Sequence, residues 1–272
     1  MEGIGKKMQE GLEDFERQIE YGFKQHSAKY GKRYSSVEDV FKAERKKRES
    51  RRLEHGRLYL QLAFNYDLEM VNRILPKIPQ NDRILVEAGT PFIKRYGAAG
   101  IKRIASLWPG KIVADIKTVD GAIAEVEECY YAGATAATVI GNASTETIDL
   151  FIEKCNELGM NSMVDMLNTE KPLRVLLPLK RKPDVVVVHR GRDEETTAGK
   201  VIKYKHINKI RGKYDVFISV AGGVDLKEAR SAIFNGAEIV VANIVRPGDP
   251  WKGINSEEKV EEIAEKFLKT IG

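Results

Sequence analysis

Regular alternation of short apolar segments with helical segments predicts an α/β fold, a (β/α)8 TIM barrel with an N-terminal helical extension. Eight strand–helix units follow one another over about 215 residues, which suits a barrel of this kind. The strand segments are apolar throughout, as parallel strands buried on both faces require. An open doubly wound sheet is the alternative. Eight near-equal units, and no Gly-x-Gly-x-x-Gly after the first strand, disfavour it.

The chain before the barrel, residues 1–56, is predicted to be a helical, basic extension, and residues 57–272 the barrel domain. Apolar residues early in the extension have helical spacing: Met8, Leu12, Phe15 and Ile19. A second helix is predicted from Ser35, which forms a capping box with Glu38. This helix is rich in lysine and arginine but lacks interleaved aromatic residues. We therefore expect it to pack on the barrel or a partner subunit and not to bind nucleic acid.

Within the barrel, short runs of valine, isoleucine, leucine and alanine indicate the strands. The predicted strands are residues 58–64, 83–87, 111–117, 136–140, 161–166, 184–189, 216–220 and 238–242. Apolar spacing of three and four residues indicates the helices between them. They are predicted at residues 67–78, from Gly89-Thr-Pro91 onward, and at 120–132, 145–158, 171–177, 197–209, 226–235 and 257–270. Pro91 suits a first helical turn.

Composition excludes several classes of protein. The chain has 42% hydrophobic residues and 9 prolines, so a large core is expected and general disorder is not. It contains no run of 18 apolar residues and its start is polar, so we expect a cytoplasmic protein without a membrane partner. Cys129 and Cys155 lack metal-ligand spacing and are expected to be small buried residues in a reducing compartment.

The active site of such a barrel is formed by the loops that follow the carboxyl ends of its strands. Nearly every predicted strand ends there in polar residues or glycine. In strand order these are Asn65; Glu87; Asp115, Lys117 and Asp120; Asn142; Asp165; His189, Arg190 and Arg192; Gly222 and Gly223; and Asn243 to Arg246. A barrel selected for stability alone does not need this set, so we predict an active site at this end.

The densest group is Asp115, Lys117 and Asp120, at the end of the third strand. A spacing of two places Asp115 and Lys117 on one face of a strand. Two carboxylates and an ammonium are costly to bury together unless they bind a ligand. The simpler alternative, a solvated loop with ordinary ion pairs, is disfavoured by the polar ends of the other strands.

Three further groups have chemistry that can be predicted. Glu87 and Asp115 would supply two oxygen ligands from neighbouring strands, a set that suits Mg²⁺ completed by water and substrate oxygens. His189 follows four valines at a strand end, where it could transfer protons near neutral pH. Gly222 and Gly223 after the seventh strand would let the backbone approach a phosphate.

These residues resemble the orotidine 5′-phosphate decarboxylase suprafamily, in particular the branch of 3-hexulose-6-phosphate synthase and 3-keto-L-gulonate-6-phosphate decarboxylase. Asp-x-Lys-x-x-Asp at residues 115–120 is the most specific motif. The other matching segments are Leu60-Gln-Leu-Ala63, Glu87-Ala-Gly-Thr-Pro91, Val164-Asp-Met166, His189-Arg-Gly-Arg-Asp193 and Val220-Ala-Gly-Gly223. Residues 1–56 are not covered by the resemblance.

The resemblance implies enediolate chemistry on a sugar phosphate in a homodimer with shared active sites. Glu87 and Asp115 would bind Mg²⁺, and Lys117 would support the enediolate oxygen. Asp120 would bind substrate in the partner subunit's site, and His189 would transfer protons. The remaining predicted substrate and phosphate contacts are Asn65, Asp165, Gly222, Gly223, Asn243 and Arg246.

Three positions bear on the choice between the two branches. Asp165 and Ala221 resemble the synthase, where the decarboxylase has glutamate and threonine. Arg192 resembles the decarboxylase. Because two of the three positions resemble the synthase, we favour a synthase that joins formaldehyde to D-ribulose 5-phosphate reversibly. Arg192 is then expected to face the phosphate or a carboxylate such as Asp193.

Two departures from the family pattern leave alternatives open. Asn65 replaces an aspartate at the end of the first strand, and Ala242-Asn243 replaces Gly-Gly or Gly-Arg at the end of the eighth. The alternatives are a decarboxylase of 3-keto-L-gulonate 6-phosphate, another enediolate lyase, or a non-catalytic binding paralogue that uses the basic helix.

Overall fold

The structure, a computed structural model, describes residues 51–197 and 201–272. Eight parallel strands pair in chain order, and β8 pairs with β1, so the sheet closes into the predicted barrel. The strands are β1 (Tyr59–Phe64), β2 (Ile84–Ala88), β3 (Lys111–Thr118), β4 (Ala136–Ile140), β5 (Asn161–Asp165), β6 (Val185–His189), β7 (Phe217–Ala221) and β8 (Ile239–Val245). Nearly every strand residue is buried because helices cover the outer face and side chains fill the interior.

The helices that surround the barrel begin where the sequence offers capping groups. Asp67, Ser144 and Asp225 each accept a hydrogen bond from the backbone amide three residues later. The helices are α1 (Leu68–Ile74), α2 (Thr90–Leu107), α3 (Ala122–Ala132), α4 (Thr145–Leu158), α5 (Pro172–Leu176), α6 (Arg192–Glu195), α7 (Lys205–Arg211), α8 (Leu226–Phe234) and α9 (Val260–Ile271). A 3₁₀ turn, Leu75–Lys77, follows α1.

Two elements differ from prediction. The single helix predicted over residues 197–209 is wrong. The short α6 ends before this range, the chain is irregular at 201–204, and α7 begins only at Lys205. Residues 198–200 lie outside the described residues. Thr196 and Thr197 follow α6, and their hydroxyls donate hydrogen bonds to the Asp193 carbonyl. A two-residue strand, β9 (Ile254–Asn255), pairs with the end of β8 and was not predicted.

The core has two layers. The larger layer packs the outward-facing strand residues against the helices, and includes Phe64, Phe92, Phe151 and Phe267. The smaller layer fills the barrel interior with side chains such as Tyr59, Met163 and Phe217. Because apolar side chains fill the lower barrel, the polar residues gather at the carboxyl ends of the strands.

Residues 51–56 cross the amino ends of the strands and close the barrel there. Leu53 joins the interior layer, and its amide donates to the Asn161 side chain at 3.2 Å. His55 stacks on Phe217 with 4.6 Å between ring centroids. This segment is turn and irregular chain, and the rest of the predicted extension, residues 1–50, lies outside the described residues. In the described part of the chain, no helix is both long and apolar enough to cross a bilayer.

Candidate active site

Asp115 and Lys117 meet through an irregularity near the end of β3. The register of β3 against β4 shifts between Ala114 and Thr118, and Lys117 has a left-handed φ of 48°. The Lys117 amide donates to the Thr138 hydroxyl at 2.9 Å and so holds this conformation. The ammonium reaches the Asp115 carboxylate, with Nζ 2.7 Å from Oδ1 and 2.5 Å from Oδ2. Backbone strain of this kind in a non-glycine residue is concentrated at functional sites.

The polar network continues to Asp165 and His189, at the ends of β5 and β6. The carboxylate oxygen Asp165 Oδ2 lies 3.1 Å from Lys117 Nζ and 2.9 Å from His189 Nδ1. Asp115, Lys117, Asp165 and His189 therefore form one continuous chain of charged groups. Since Nδ1 of His189 faces Asp165, Nε2 is the ring nitrogen that this arrangement leaves for a ligand.

Mutual attraction keeps these buried groups charged. Burial raises the pKa of Asp115 and of Asp165, but the neighbouring cations outweigh it and hold both pKa values below the usual range. Burial lowers the pKa of Lys117 and of His189, but the carboxylates outweigh it and raise both pKa values above the usual range. The charged form of each group is thus favoured, and the signs of the charges alternate along the network.

Glu87, at the end of β2, has a different environment. It is 7% exposed, and the Gln61 side chain donates a hydrogen bond to its Oε2. Burial and the nearby charge of Asp115 raise the pKa of Glu87 to about 7. Two carboxylates on adjacent strands repel each other, and Lys117 neutralises Asp115 more closely than it does Glu87. A cation beside Glu87 would relieve this repulsion.

The donor chemistry of Glu87 and Asp115 fits Mg²⁺. Both are hard oxygen donors from neighbouring strands, and this ion keeps several waters and binds through one or two carboxylates. The described residues hold no group of three or more His, Cys, Asp or Glu side chains placed to bind a metal. Substrate and water oxygens would therefore complete the coordination sphere. Both Asp115 oxygens also accept hydrogen bonds, from Lys117, Thr90 and Thr138.

One pocket at the carboxyl ends of the strands collects most of the predicted site residues. Those that line it are Asn65, Glu87, Asp115, Lys117, Asp165, His189, Arg192, Gly222 and Asn243. Four of the polar or glycine residues predicted at the strand ends do not line it: Asp120, Asn142, Gly223 and Arg246. Asp120 is exposed beyond the end of β3. Gly223 lies behind the side chains of Arg190 and Glu195.

The two departures from the family pattern contact each other. The Asn65 amide donates to the Asn243 side-chain oxygen at 3.0 Å. Gly89 leaves the space that Asn65 occupies, because a Cβ at residue 89 would collide with the Asn65 side chain. The ends of β1 and β8 therefore present neutral amides to the pocket.

The two predicted arginines have different surroundings. Arg246 pairs with Asp67 and stacks over Tyr66, with Cζ 4.6 Å from the ring centroid, so an ion pair and an aromatic contact hold it outside the pocket. Arg192 lines the pocket, and its guanidinium lies over Trp251 with Cζ 4.5 Å from the ring centroid. Arg192 was expected to face the phosphate or Asp193. The structure shows the contact with Trp251, and the phosphate contact stays a prediction.

Sequence reasoning did not select several residues that line the pocket: Gln61, Thr90, Thr138 and Glu195. Gln61 gave a usable signal, because it is a polar residue inside the apolar strand Leu60-Gln-Leu62. Thr90 and Thr138 gave none, since isolated threonines are common at helix starts and in strands.

Comparison with known proteins is consistent with this geometry. The model of the orotidine 5′-phosphate decarboxylase/HUMPS family matches residues 59–250. A bifunctional enzyme Fae/Hps from Methanosarcina barkeri is 38% identical over 215 residues, covering 78% of this chain and 52% of the relative. The corresponding enzyme from Methanocella arvoryzae is 35% identical over 217 residues, covering 78% and 53%. The chain thus spans about half the length of the curated relatives it matches.

Solved structures have the same barrel. The 3-hexulose-6-phosphate synthase from Salmonella typhimurium has a TM-score of 0.65 and 25% identity, covering 79% of this chain and 98% of that one. A 3-keto-L-gulonate-6-phosphate decarboxylase from Vibrio cholerae has a TM-score of 0.61 and 19% identity, covering 79% and 97%. The second likeness shows the fold alone. Because the family model covers most of the barrel, this chain belongs to the orotidine 5′-phosphate decarboxylase/HUMPS family.

Proposed function

We propose that this chain is a carbon–carbon lyase of the 3-hexulose-6-phosphate synthase type, which adds formaldehyde to D-ribulose 5-phosphate reversibly. The observation that carries the proposal is the hydrogen-bonded network of Asp115, Lys117, Asp165 and His189 beside Glu87, inside one pocket. The names of the relatives support it: the curated relatives are called Fae/Hps, and the Salmonella structure is a 3-hexulose-6-phosphate synthase.

The network has the groups that this reaction requires. A proton leaves C1 of the ketose phosphate, C1 forms a bond to the formaldehyde carbon, and the former aldehyde oxygen takes up a proton. The intermediate is an enediolate, whose negative charge the Lys117 ammonium would stabilise. His189 would carry the proton on Nε2 while its Nδ1 remains paired with Asp165. The fixed positions of these charges favour the charge that develops during the reaction.

Glu87 and Asp115 would hold Mg²⁺. When bound, this ion would supply positive charge that stabilises the developing enediolate. The burial of Glu87 and the repulsion from Asp115 that raises its pKa support this assignment, because a cation would relieve that repulsion. The Asp165 carboxylate already accepts hydrogen bonds from Lys117 and His189. Its main role would therefore be to position those two side chains.

Decarboxylation of a related sugar phosphate is the second candidate, and Arg192 favours it. Arg192 lines the pocket, where a permanently charged guanidinium could place the acid or water that protonates an enediolate. Ala221 and Asp165, which resemble the synthase, line the same pocket. The balance of positions therefore supports the aldol reaction.

The direct test is a substrate screen by NMR with Mg²⁺ present. Ribulose 5-phosphate with formaldehyde and 3-keto-L-gulonate 6-phosphate should be followed side by side. We expect a new hexulose phosphate from the first and slow or no carbon dioxide release from the second. Turnover of the second alone would replace the proposal with the decarboxylase. Turnover of neither, by folded protein, would favour another lyase or a binding role.

We propose also that the protein acts as a homodimer in which Asp120 completes the partner's site. Asp120 is exposed outside its own subunit's pocket, and exposed apolar side chains lie around it: Val119, Ile123 and Leu150. An apolar patch beside a polar residue of the family motif suits burial against a second copy. The two cysteines are buried and free, which supports the proposed cytoplasmic location.

A further inference from the structure

The carboxylate of Glu195 lies against the backbone of Gly223, in the loop after β7. Gly223 has a φ of 70°, and a Cβ there would lie 2.5 Å from both the carboxyl carbon and Oε1 of Glu195. The Arg190 guanidinium approaches the same point. Only glycine leaves room for these two side chains. The bare backbone that was predicted to receive a phosphate is therefore already next to an anionic group of the chain itself.

The groups around this carboxylate are the donors that an anion requires. The Lys252 amide, in the loop after β8, donates to Glu195 Oε1. Lys252 is itself fixed, since its Nζ lies 3.0 Å from Asp225 Oδ2. Arg190 is positioned by a 2.9 Å hydrogen bond from Nη2 to the Gly222 carbonyl. A glycine backbone, a guanidinium and a backbone amide together form a typical anion site.

This anion site opens onto the catalytic pocket. Arg190, Glu195 and Gly222 line the same pocket as Lys117 and His189. A ligand whose reactive end lies at Lys117 could therefore place a terminal phosphate where the Glu195 carboxylate now lies. The two anions cannot share the position, because like charges in contact repel strongly at a partly buried site.

We propose that Glu195 is an internal competitor for the phosphate subsite, which the phosphate of the substrate displaces on binding. The inference rests on the proposed function only in that the ligand carries a phosphate. A dianionic phosphate with three acceptor oxygens gains more from these donors than a single carboxylate does. Uncharged sugars have no such advantage, so Glu195 raises the selectivity for phosphorylated ligands. Return of the Glu195 carboxylate to the subsite assists product release.

The size of the effect follows from occupancy. The apparent affinity of a ligand is the intrinsic affinity multiplied by the fraction of molecules whose site is free. If the carboxylate occupies the subsite about nine-tenths of the time, its removal should tighten phosphate binding on the order of tenfold.

The experiment measures binding of inorganic phosphate by calorimetry to wild type, Glu195→Gln and Glu195→Ala. Asp193→Asn is the matched control, because it removes the same charge from α6 at an exposed side chain that does not line the pocket. We expect both Glu195 variants to bind phosphate about tenfold more tightly, and Asp193→Asn to bind like wild type. Binding of D-ribulose, which lacks a phosphate, should be the same in all four proteins.

Weaker or unchanged phosphate binding in the Glu195 variants would overturn the inference, because the carboxylate would then not compete with phosphate but would only hold Arg190 and Lys252 in place. If a variant fails to fold, a crystal structure of wild type with bound phosphate provides the test. In that structure Glu195 must have left Gly223. Retention of that contact would also overturn the inference. Tighter phosphate binding without any aldol activity would leave it intact and reject only the proposed reaction.

Discussion

The side-chain amides of Asn65 and Asn243 join β1 to β8 through a 3.0 Å hydrogen bond, at the seam where the barrel closes. Both residues depart from the family pattern, and the departures are matched. An amide can donate to one partner and accept from another, whereas a carboxylate can only accept. The neutral pair also keeps further negative charge from a pocket that already holds the carboxylates of Glu87, Asp115 and Asp165.

The first prediction concerns this amide pair. Asn65→Ala and Asn243→Ala should each destabilise the fold, because each leaves the other amide without its partner in a partly buried place. In a double-mutant cycle the free energies of unfolding should be non-additive by about 0.5–1.5 kcal/mol. Asn208, exposed on α7, provides the control, and Asn65→Ala combined with Asn208→Ala should be additive. Additive effects for Asn65 and Asn243 would show that the hydrogen bond contributes nothing.

The second prediction concerns Glu87 and pH. Its pKa is raised from 4.5 to about 7, so the folded state retains a proton that the unfolded state releases. Stability is therefore lost as pH rises from about 4.5 to about 7. Above this range the loss is up to about 3 kcal/mol, and Glu87→Gln removes it. Without Mg²⁺, the variant should be more stable than wild type in urea at pH about 8 and similar to it near pH about 4.

The control for the Glu87 prediction is the effect of Mg²⁺ on the melting temperature. The ion should raise the melting temperature of wild type above neutral pH, because a ligand that binds only the folded state stabilises it. Glu87→Gln should show no such rise and should lose activity. If the variant is less stable than wild type at alkaline pH without metal, the carboxylate is held by partners that outweigh its burial.

The predictability of the fold and the site differs between elements. The apolar runs located all eight strands within a few residues, because burial on both faces leaves a continuous signal in the sequence. The helix predicted over 197–209 was wrong because a local hydrogen bond between Gly191 and Glu194 forms the short α6 before it, and the chain is irregular at 201–204. The polar strand ends identified the pocket. The left-handed Lys117 depends on the register between β3 and β4, and the Glu195–Gly223 contact depends on how α6 packs against the loop after β7. Residue spacing encodes neither.

The third prediction concerns Asp165 and His189. Asp165 raises the pKa of His189 above its usual value, against the effect of burial. Asp165→Asn should therefore lower the pKa of His189, and the acidic limb of the kcat/KM profile should move to lower pH by about one unit. The total activity should also fall, because Lys117 loses a partner. The control His189→Asn should remove this limb. A limb that stays in place would assign the acidic pKa to another group.

The fourth prediction concerns Asp120 and a second subunit. Asp120→Asn and His189→Ala should each be inactive as homodimers. In a mixed dimer, one site combines the intact His189 of one subunit with the intact Asp120 of the other. Random mixing should then restore about a quarter of wild-type activity. Recovery of none, or a monomer in light scattering, would mean that Asp120 does not act across an interface.

The fifth prediction concerns Arg192, whose position in the pocket favours the second candidate function. Arg192 and Arg246 form a matched pair, since each guanidinium lies over an aromatic ring, at 4.5 Å from Trp251 and 4.6 Å from Tyr66, but only Arg192 lines the pocket. Loss of the cation–π contact should cost each valine variant about 0.5–1 kcal/mol of stability. Arg246→Val also loses the exposed ion pair with Asp67, which contributes little. Any difference in activity between the two variants therefore reports on the pocket.

Arg192→Val should keep or raise the aldol rate, because an enediolate that attacks formaldehyde must not be protonated first. Arg246→Val should leave both reactions unchanged. If wild type decarboxylates 3-keto-L-gulonate 6-phosphate efficiently and Arg192→Val loses about a hundredfold of that rate, Arg192 acts as a group that positions the proton donor. The decarboxylase would then replace the synthase. A fall of the aldol rate alone would instead mean that the guanidinium holds the sugar phosphate, because its charge persists at every working pH.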